Sequence, residues 1–209
     1  MVRRPLFEFW YEFASTYSYL AAMRIEQAAE EAGVELVWRP FLLGPIFKSQ
    51  GWDTSPFNLY PAKGRYMWRD MEREAVRFGL PLYKPNPFPQ NTLLAARIAL
   101  VGLDSGWTPV FTKAAYMAEF GEGRDLSDVQ VLSGILSGLG LDPESIMAEA
   151  QSETKKSCLR RLNEEAQSRG IFGAPTFIAE DGEMFWGNDR LEQALEWAAR
   201  QARRSDLPV

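Results

Sequence analysis

The sequence predicts an α/β fold in which a long helical insertion interrupts a small sheet. A strand–helix–strand pattern opens the chain, a strand–strand–helix pattern closes it, and helical spacing of apolar residues fills the region between. The composition agrees with this reading. Of 209 residues, 46% are hydrophobic and 24% are charged, which is typical of a folded globular chain.

The first unit consists of a strand, a helix and a second strand. The predicted elements are a strand at 6–13, a helix at 17–32 and a strand at 34–39. Aromatic residues crowd the first strand, which predicts that it is buried. Gly33 ends the helix and Pro40 closes the second strand. Such a unit normally holds two parallel strands joined by a right-handed crossover.

The middle of the chain is predicted to be helical. Residues 41–91 carry many Pro and Gly residues around one helix, and residues 92–167 have helical spacing throughout. The predicted helices lie at 61–78, at 93–102, at 109–119, at 128–139, from 143 onward and at 152–169.

The last unit is a hairpin followed by a helix. The predicted elements are strands at 175–179 and 184–186, an Asp181–Gly182 turn between them, and a helix at 190–203. Both units together give a four-stranded sheet with helices on its faces, which is the thioredoxin-like arrangement. We therefore predict a discontinuous thioredoxin-like domain, residues 1–40 and 168–209, split by a helical insertion domain, residues 41–167.

Two residue counts exclude whole classes of chemistry. The chain has no histidine, which removes Ser-His-Asp and Cys-His catalysis, histidine-ligated zinc and any imidazole base. It has one cysteine, Cys158, which allows neither an internal disulfide nor a C-x-x-C pair nor a cysteine zinc cluster. We expect no metal site, and we interpret Cys158 as a structural or surface thiol.

Charge and hydropathy limit the partners and the location. The net charge of −5 argues against nucleic acid or an anionic membrane as a partner. No apolar stretch approaches the roughly 18 residues of a transmembrane helix, and no leader pattern is visible at the start. Because disulfides are absent, we expect a reducing, cytoplasmic setting.

Six segments, taken together and in order, carry a family resemblance. They are residues 11–20, 39–44, 61–67, 91–95, 172–177 and 185–191. They resemble segments of the 2-hydroxychromene-2-carboxylate isomerase family, which has a DsbA-like thioredoxin fold and is related to the kappa-class glutathione transferases. The resemblance spans residues 7–197.

The resemblance implies a glutathione-dependent isomerase. Its family interconverts 2-hydroxychromene-2-carboxylate and trans-o-hydroxybenzylidenepyruvate by reversible thiolate addition, in bacterial naphthalene degradation. It also implies a homodimer. Two other functions stay open: a kappa-like transferase that conjugates electrophiles, and a non-catalytic thioredoxin-like binding protein. A DsbA-type disulfide oxidoreductase is disfavoured because Ser15 stands where such a protein has its reactive cysteine.

Ser15 is the candidate catalytic residue. It lies between the first strand and the helix, where free N–H groups favour an anion. The resemblance assigns it the task of stabilising the glutathione thiolate. From its position alone, an ordinary helix cap is the alternative.

The resemblance implies further glutathione contacts. Besides Ser15 these are Tyr17, Trp52, Lys63, Ala174, Pro175, Asn188 and Asp189. A cis Ala174–Pro175 bond would expose the Ala174 backbone to the cysteinyl part of glutathione, like a short added strand. Asn188 and Asp189 would hold the γ-glutamyl group. Either Trp52 or Asn58 would supply a contact that some kappa-class members make with an asparagine.

A basic, aromatic helix is the candidate substrate site. Lys63, Arg65 and Tyr66 are expected to hold the carboxylate of an aromatic keto acid, although a solvated helix face with intrahelical ion pairs is the alternative. The candidate aromatic wall consists of Trp52, Phe57, Tyr60 and Trp68.

Overall fold

The computed structural model describes residues 3–205 as a four-stranded mixed sheet with helices packed on it. The strands are β1 (Leu6–Tyr11), β2 (Glu35–Pro40), β3 (Thr176–Ala179) and β4 (Met184–Trp186). Their spatial order is β2-β1-β3-β4, with β1 parallel to β2 and antiparallel to β3, and β4 antiparallel to β3. The predicted thioredoxin-like α/β fold is confirmed.

Helices connect and cover these strands. In chain order they are α1 (Thr16–Ala22), α2 (Ile25–Ala32), α3 (Leu43–Ser49), α4 (Pro56–Leu59), α5 (Pro61–Phe78), α6 (Leu93–Ser105), α7 (Thr108–Tyr116), α8 (Val129–Gly138), α9 (Pro143–Ala150), α10 (Glu153–Ser168) and α11 (Leu191–Ser205). A π-helical turn, Met117–Gly121, follows α7, and a 3₁₀ turn, Asn188–Arg190, precedes α11. Helices α3 to α10 all lie between β2 and β3 in the chain, so the limits of an insertion domain stay a prediction. Within residues 3–205, none of the helices combines the length and apolar content that crossing a bilayer requires.

The single helix predicted at 17–32 is wrong, because the chain breaks between α1 and α2. Arg24 leaves helical geometry at φ −130°. Its guanidinium donates to the backbone and side-chain oxygens of Asn188 and lies 4.6 Å from the centre of the Phe78 ring. These tertiary contacts outweigh the local preference for a continuous helix.

Two short helices, α3 and α4, lie in the Pro- and Gly-rich stretch before α5, where the sequence predicted no particular helix. Its Pro residues are compatible with helix because they stand in first turns, where a backbone N–H needs no intrahelical partner. Pro56 opens α4 behind the capping Ser55. No side chain of the residue before α3 caps that helix, and the Leu43 N–H at its start donates to the buried Glu12 carboxylate at 2.8 Å.

The core is built on the aromatic face of β1. The side chain of Phe9 is fully buried and packs on Tyr11, Trp38 and Phe177, with ring centres 5.0 to 5.7 Å apart. Aromatic packing of this kind contributes beyond the area it buries. The predicted burial of the first strand is therefore confirmed, and it fixes β1 at the centre of the sheet.

A charged cluster closes the start of β1 around Glu8. Its carboxylate accepts hydrogen bonds from the Trp10 indole, from Arg39 at 2.8 Å and from Arg169 at 2.5 Å. Burial alone would raise the pKa of Glu8, but these three donors lower it below its ordinary value. The cluster therefore joins β1, β2 and the end of α10 through one ionised carboxylate.

We expect Glu8→Gln to destabilise the fold by about 2 kcal/mol at pH 7, since hydrogen bonds to a charged group are lost. Because the folded-state pKa is lowered, this stability is present above the ordinary carboxyl pKa and is lost as pH falls through the folded value. Denaturant unfolding should therefore show a gap between variant and parent that narrows at pH 3. Glu35→Gln, at an exposed position of β2, is the matched control. An equal difference in unfolding free energy between variant and parent at both pH values would contradict the lowered pKa of Glu8.

Candidate active site

A cavity of about 1330 Å³ opens beside the end of β1. Its walls come from residues within 12–17, 42–57, 62–77, 88–93, 172–174 and 186–190. Pockets for one small ligand usually measure about 300–1,000 Å³. The cavity therefore has room for two ligands side by side, and it is shared by the sheet and by the helices inserted between β2 and β3.

Ser15 lies in the wall of this cavity and caps α1. Its hydroxyl oxygen accepts the Ser18 N–H at 3.2 Å, and its hydroxyl hydrogen is donated to the Ala174 carbonyl at 2.9 Å. The side chain is only 9% exposed. Capping and placement at the cavity are thus both present, and the two interpretations of Ser15 do not exclude each other.

The segment that carries Ala174 is held in place from both sides. The Ala174–Pro175 bond is cis, as the resemblance implied. Thr176 donates its hydroxyl to the Gly173 carbonyl, and the Gly187 N–H donates to the Pro175 carbonyl, both at 2.9 Å. Ala174 lines the cavity, whereas Pro175 is buried behind it. Of the two residues, Ala174 therefore contributes to the cavity wall, and its carbonyl oxygen accepts the Ser15 hydroxyl there.

Tyr17 points its hydroxyl at α5. It donates to an Asp70 carboxylate oxygen at 2.9 Å, and Arg73 pairs with the other oxygen at 2.8 Å. Burial and the Asp70 carboxylate raise the pKa of Tyr17, so that it stays a neutral donor. It lines the cavity and ties α1 to α5.

Asn188 and Asp189 reach the cavity from the turn before α11. Asn188 is 4% exposed, and its side-chain oxygen accepts from Arg24 at 3.0 Å. Because that oxygen is occupied, its amide NH₂ is the group left for a ligand. Asp189 is exposed, with its carboxylate 3.5 Å from Arg190.

On α5, Lys63 and Tyr66 line the cavity but Arg65 does not. Positions three apart share a helix face, whereas position 65 lies on the other side and is exposed. Arg65 therefore lies outside the lining of this cavity, unlike Lys63 and Tyr66. Lys63 places its ammonium 4.8 Å from the Tyr60 ring centre. Gly64 permits the close approach of α4 to α5, because a Cβ at this position would lie 2.3 Å from the Phe57 carbonyl oxygen of α4.

The aromatic wall differs from the prediction. Trp52 and Phe57 belong to it, but Tyr60 and Trp68 do not. The structure adds the side chains of Phe47, Phe88, Phe172 and Trp186. Asn58 lies outside the lining, and its amide donates to the Thr54 hydroxyl and the Phe88 carbonyl. Trp52, and not Asn58, therefore faces the cavity.

Phe172 and Trp186 form an aromatic pair beside Ala174. Their ring centres are 4.9 Å apart, and Trp186 is 52% exposed. Both residues belong to segments that the sequence comparison had already marked, 172–177 and 185–191. The sequence alone does not show that these two aromatic side chains meet, partly exposed, at the rim of the cavity.

No group of three or more side chains suited to hold a metal ion lies together in the part of the chain that the structure describes.

Residues 7–197 match the family model of the DSBA-like thioredoxin domain. The chain belongs to this family.

Individual proteins similar to this chain include isomerases and kappa-class glutathione transferases. A 2-hydroxychromene-2-carboxylate isomerase from Sphingobium xenophagum is 32% identical over 187 residues, covering 88% of this chain and 93% of the relative. Glutathione S-transferase kappa 1 from Homo sapiens is 26% identical over 198 residues, covering 88% and 87%. A solved 2-hydroxychromene-2-carboxylate isomerase superposes with a TM-score of 0.85 at 24% identity, covering 98% and 100%. The resemblance seen in the sequence is confirmed.

Two carboxyl groups, Glu12 and Glu119, are buried near each other in this DSBA-like domain, and the sequence did not reveal their burial. Glu12 lines the cavity and accepts hydrogen bonds from Thr92 and from the Leu43 N–H. Glu119, in the π-helical turn, is fully buried and neither of its oxygens has a partner among the described residues. Burial first, and then the nearby Glu12 and Asp125 carboxyls, raise the pKa of Glu119 well above its ordinary value.

We expect Glu119→Gln to stabilise the protein at pH 8, because Gln has no carboxyl group that burial keeps neutral in the folded protein while the unfolded chain ionises it. Because the folded-state pKa is raised, stability is full below the ordinary carboxyl pKa and is lost as pH rises toward the folded value. Unfolding curves should show no difference in the free energy of unfolding between variant and parent at pH 4, and a more stable variant at pH 8. Glu122→Gln, at an exposed carboxylate nearby, should not show this change, and a destabilised Gln variant at pH 8 would refute the expectation.

Proposed function

We propose that this protein is a glutathione-dependent isomerase of the 2-hydroxychromene-2-carboxylate type. The observation that carries the proposal is the meeting of the Ser15 hydroxyl and the Ala174 backbone in the wall of a cavity large enough for two ligands. Relatives named as isomerases support an enzyme, and the kappa-class relative supports glutathione as the thiol. The substrate class is an unsaturated aromatic keto acid.

The residues of the cavity fit glutathione by their chemistry. The backbone of Ala174 suits the cysteinyl peptide unit, and Ser15 lies within hydrogen-bonding distance of that backbone. The exposed Asp189 carboxylate suits the ammonium of a γ-glutamyl group, and the amide of Asn188 suits its carboxylate. Trp52, Tyr17 and Lys63 also line the cavity and are further proposed contacts.

Bound glutathione supplies a thiolate that adds reversibly to the conjugated double bond, so that rotation about the resulting single bond exchanges the two geometries before elimination. The protein's residues have simpler tasks. Ser15 donates a hydrogen bond to the sulfur, which lowers the thiol pKa. Lys63 and Tyr66 hold the carboxylate of the keto acid, and the aromatic wall keeps water away. No step in this scheme needs histidine, and the chain has none.

A kappa-like transferase is the second candidate, since the same thiol site would serve conjugation and a kappa-class relative covers most of the chain. The non-catalytic binding protein stays the third. A cytoplasmic location, a homodimer and a place in aromatic catabolism such as naphthalene degradation are part of the proposal.

An ultraviolet assay with trans-o-hydroxybenzylidenepyruvate separates these candidates. We expect conversion to the chromene, and back, only when glutathione is present, with no net loss of thiol. Stoichiometric consumption of glutathione would identify a transferase. Absence of both conversion and glutathione binding would favour a binding protein.

In the same assay, Ser15→Ala should lower turnover by about 10- to 100-fold, because a hydrogen bond to a charged sulfur is lost. Ser168→Ala removes a comparable hydroxyl-to-carbonyl bond on the exposed end of α10, and it should leave turnover unchanged. Circular dichroism establishes that both variants are folded. Full activity in Ser15→Ala would reject the proposed task of this residue.

Lys63→Met should raise KM for the keto acid by about 10-fold, since the loss concerns binding of the carboxylate in both ground and transition states. The matched control is Arg65→Met, which removes an exposed cation two residues away and outside the cavity lining. Steady-state kinetics at saturating glutathione measures both. Equal effects of the two variants would point to general charge and not to a specific contact.

A further inference from the structure

The hydrogen-bond inventory of Ser15 leaves no free hydrogen for a ligand. A serine hydroxyl carries one hydrogen, and a carbonyl can only accept. The contact with the Ala174 oxygen at 2.9 Å therefore uses that hydrogen. The Ser18 N–H occupies the hydroxyl oxygen from the other side at 3.2 Å. In this arrangement Ser15 has nothing to donate to a sulfur atom.

The backbone of Ala174 shows how the hydrogen can be released. Its carbonyl oxygen accepts only the Ser15 hydroxyl among the described residues, and its N–H donates to none of them. An extended peptide pairs with both groups of one backbone residue, as paired residues of neighbouring strands do. A peptide N–H that arrives at the carbonyl offers it another donor. The Ser15 hydroxyl can then turn away without leaving a part-buried carbonyl unpaired.

We propose that the Ser15–Ala174 contact makes thiol activation conditional on peptide capture. The Ser15 hydrogen passes from the Ala174 carbonyl to the sulfur only when a peptide N–H of the same ligand takes its place. The cavity thereby selects cysteinyl peptides over simple thiols, because a simple thiol can gain the hydrogen only by leaving the carbonyl unsatisfied. This inference rests on the proposed function and concerns the selection of its thiol.

The test compares glutathione with γ-glutamylalanylglycine, the same peptide without sulfur, in parent protein and Ser15→Ala by calorimetry. By this proposal, the N–H of the arriving peptide competes with the Ser15 hydroxyl for the Ala174 carbonyl in the parent, and the sulfur-free peptide offers that hydroxyl no other acceptor. In Ser15→Ala nothing is displaced. The sulfur-free peptide should therefore bind Ser15→Ala about 5-fold more tightly than the parent, whereas glutathione should bind Ser15→Ala more weakly.

Two further variants exclude a merely structural effect. Ser15→Gly keeps most of the helix cap and should reproduce the reversal seen with Ser15→Ala. Ser168→Ala should change neither affinity. The thiolate absorbance of bound glutathione should show a pKa about one unit lower in the parent than in Ser15→Ala.

The outcomes separate this inference from the proposed function. If both peptides bind the parent, and the sulfur-free peptide binds Ser15→Ala no more tightly, the coupling is overturned while glutathione binding stands. If neither peptide binds the parent, the proposed function fails and this inference fails with it. Tighter binding of both peptides to Ser15→Ala would also overturn it, because the sulfur would then gain nothing from Ser15.

Discussion

A single hydrogen bond joins the two ends of the fold at the site. Ser15 and Ala174 are 159 residues apart in sequence, yet the hydroxyl of one meets the carbonyl of the other. The meeting is possible because β1 lies between β2 and β3, so that the end of β1 and the start of β3 come to the same place. The central position of β1 in turn depends on its buried aromatic face. The cavity, and the thiol site proposed for it, depend on that packing.

The helices between β2 and β3 supply charged and aromatic side chains to the cavity wall. The segments at the end of β1 and before β3 contribute backbone groups and one hydroxyl, whereas α5 contributes Lys63, Tyr66 and the Asp70 partner of Tyr17. Helix α4 meets α5 at Gly64 closely enough to bring both helices to the same wall. In the proposed function, the backbone groups would hold glutathione and the side chains of α5 would hold the substrate.

The sequence predicted the sheet and most helices because their apolar spacing and capping residues act locally. It placed Ser15, Tyr17, Ala174 and Asn188 at one site through the resemblance of short segments. The break at Arg24 and the exposed side of Arg65 depend on tertiary contacts and on helix rotation, which local patterns do not specify. Glu119 was missed for a related reason: a glutamate in a helical stretch normally faces solvent, and only the assembled fold shows that it is enclosed.

The packing of Trp186 over Gly173 restricts how this protein can change. A Cβ at position 173 would lie 2.3 Å from the indole nitrogen, so any larger residue there requires the indole to move. The two positions are therefore coupled, because the half-exposed indole of Trp186 has to turn aside before position 173 can carry a side chain. A change at position 173 thus also changes the shape of this rim through residue 186, and variants at the two positions are best compared as pairs.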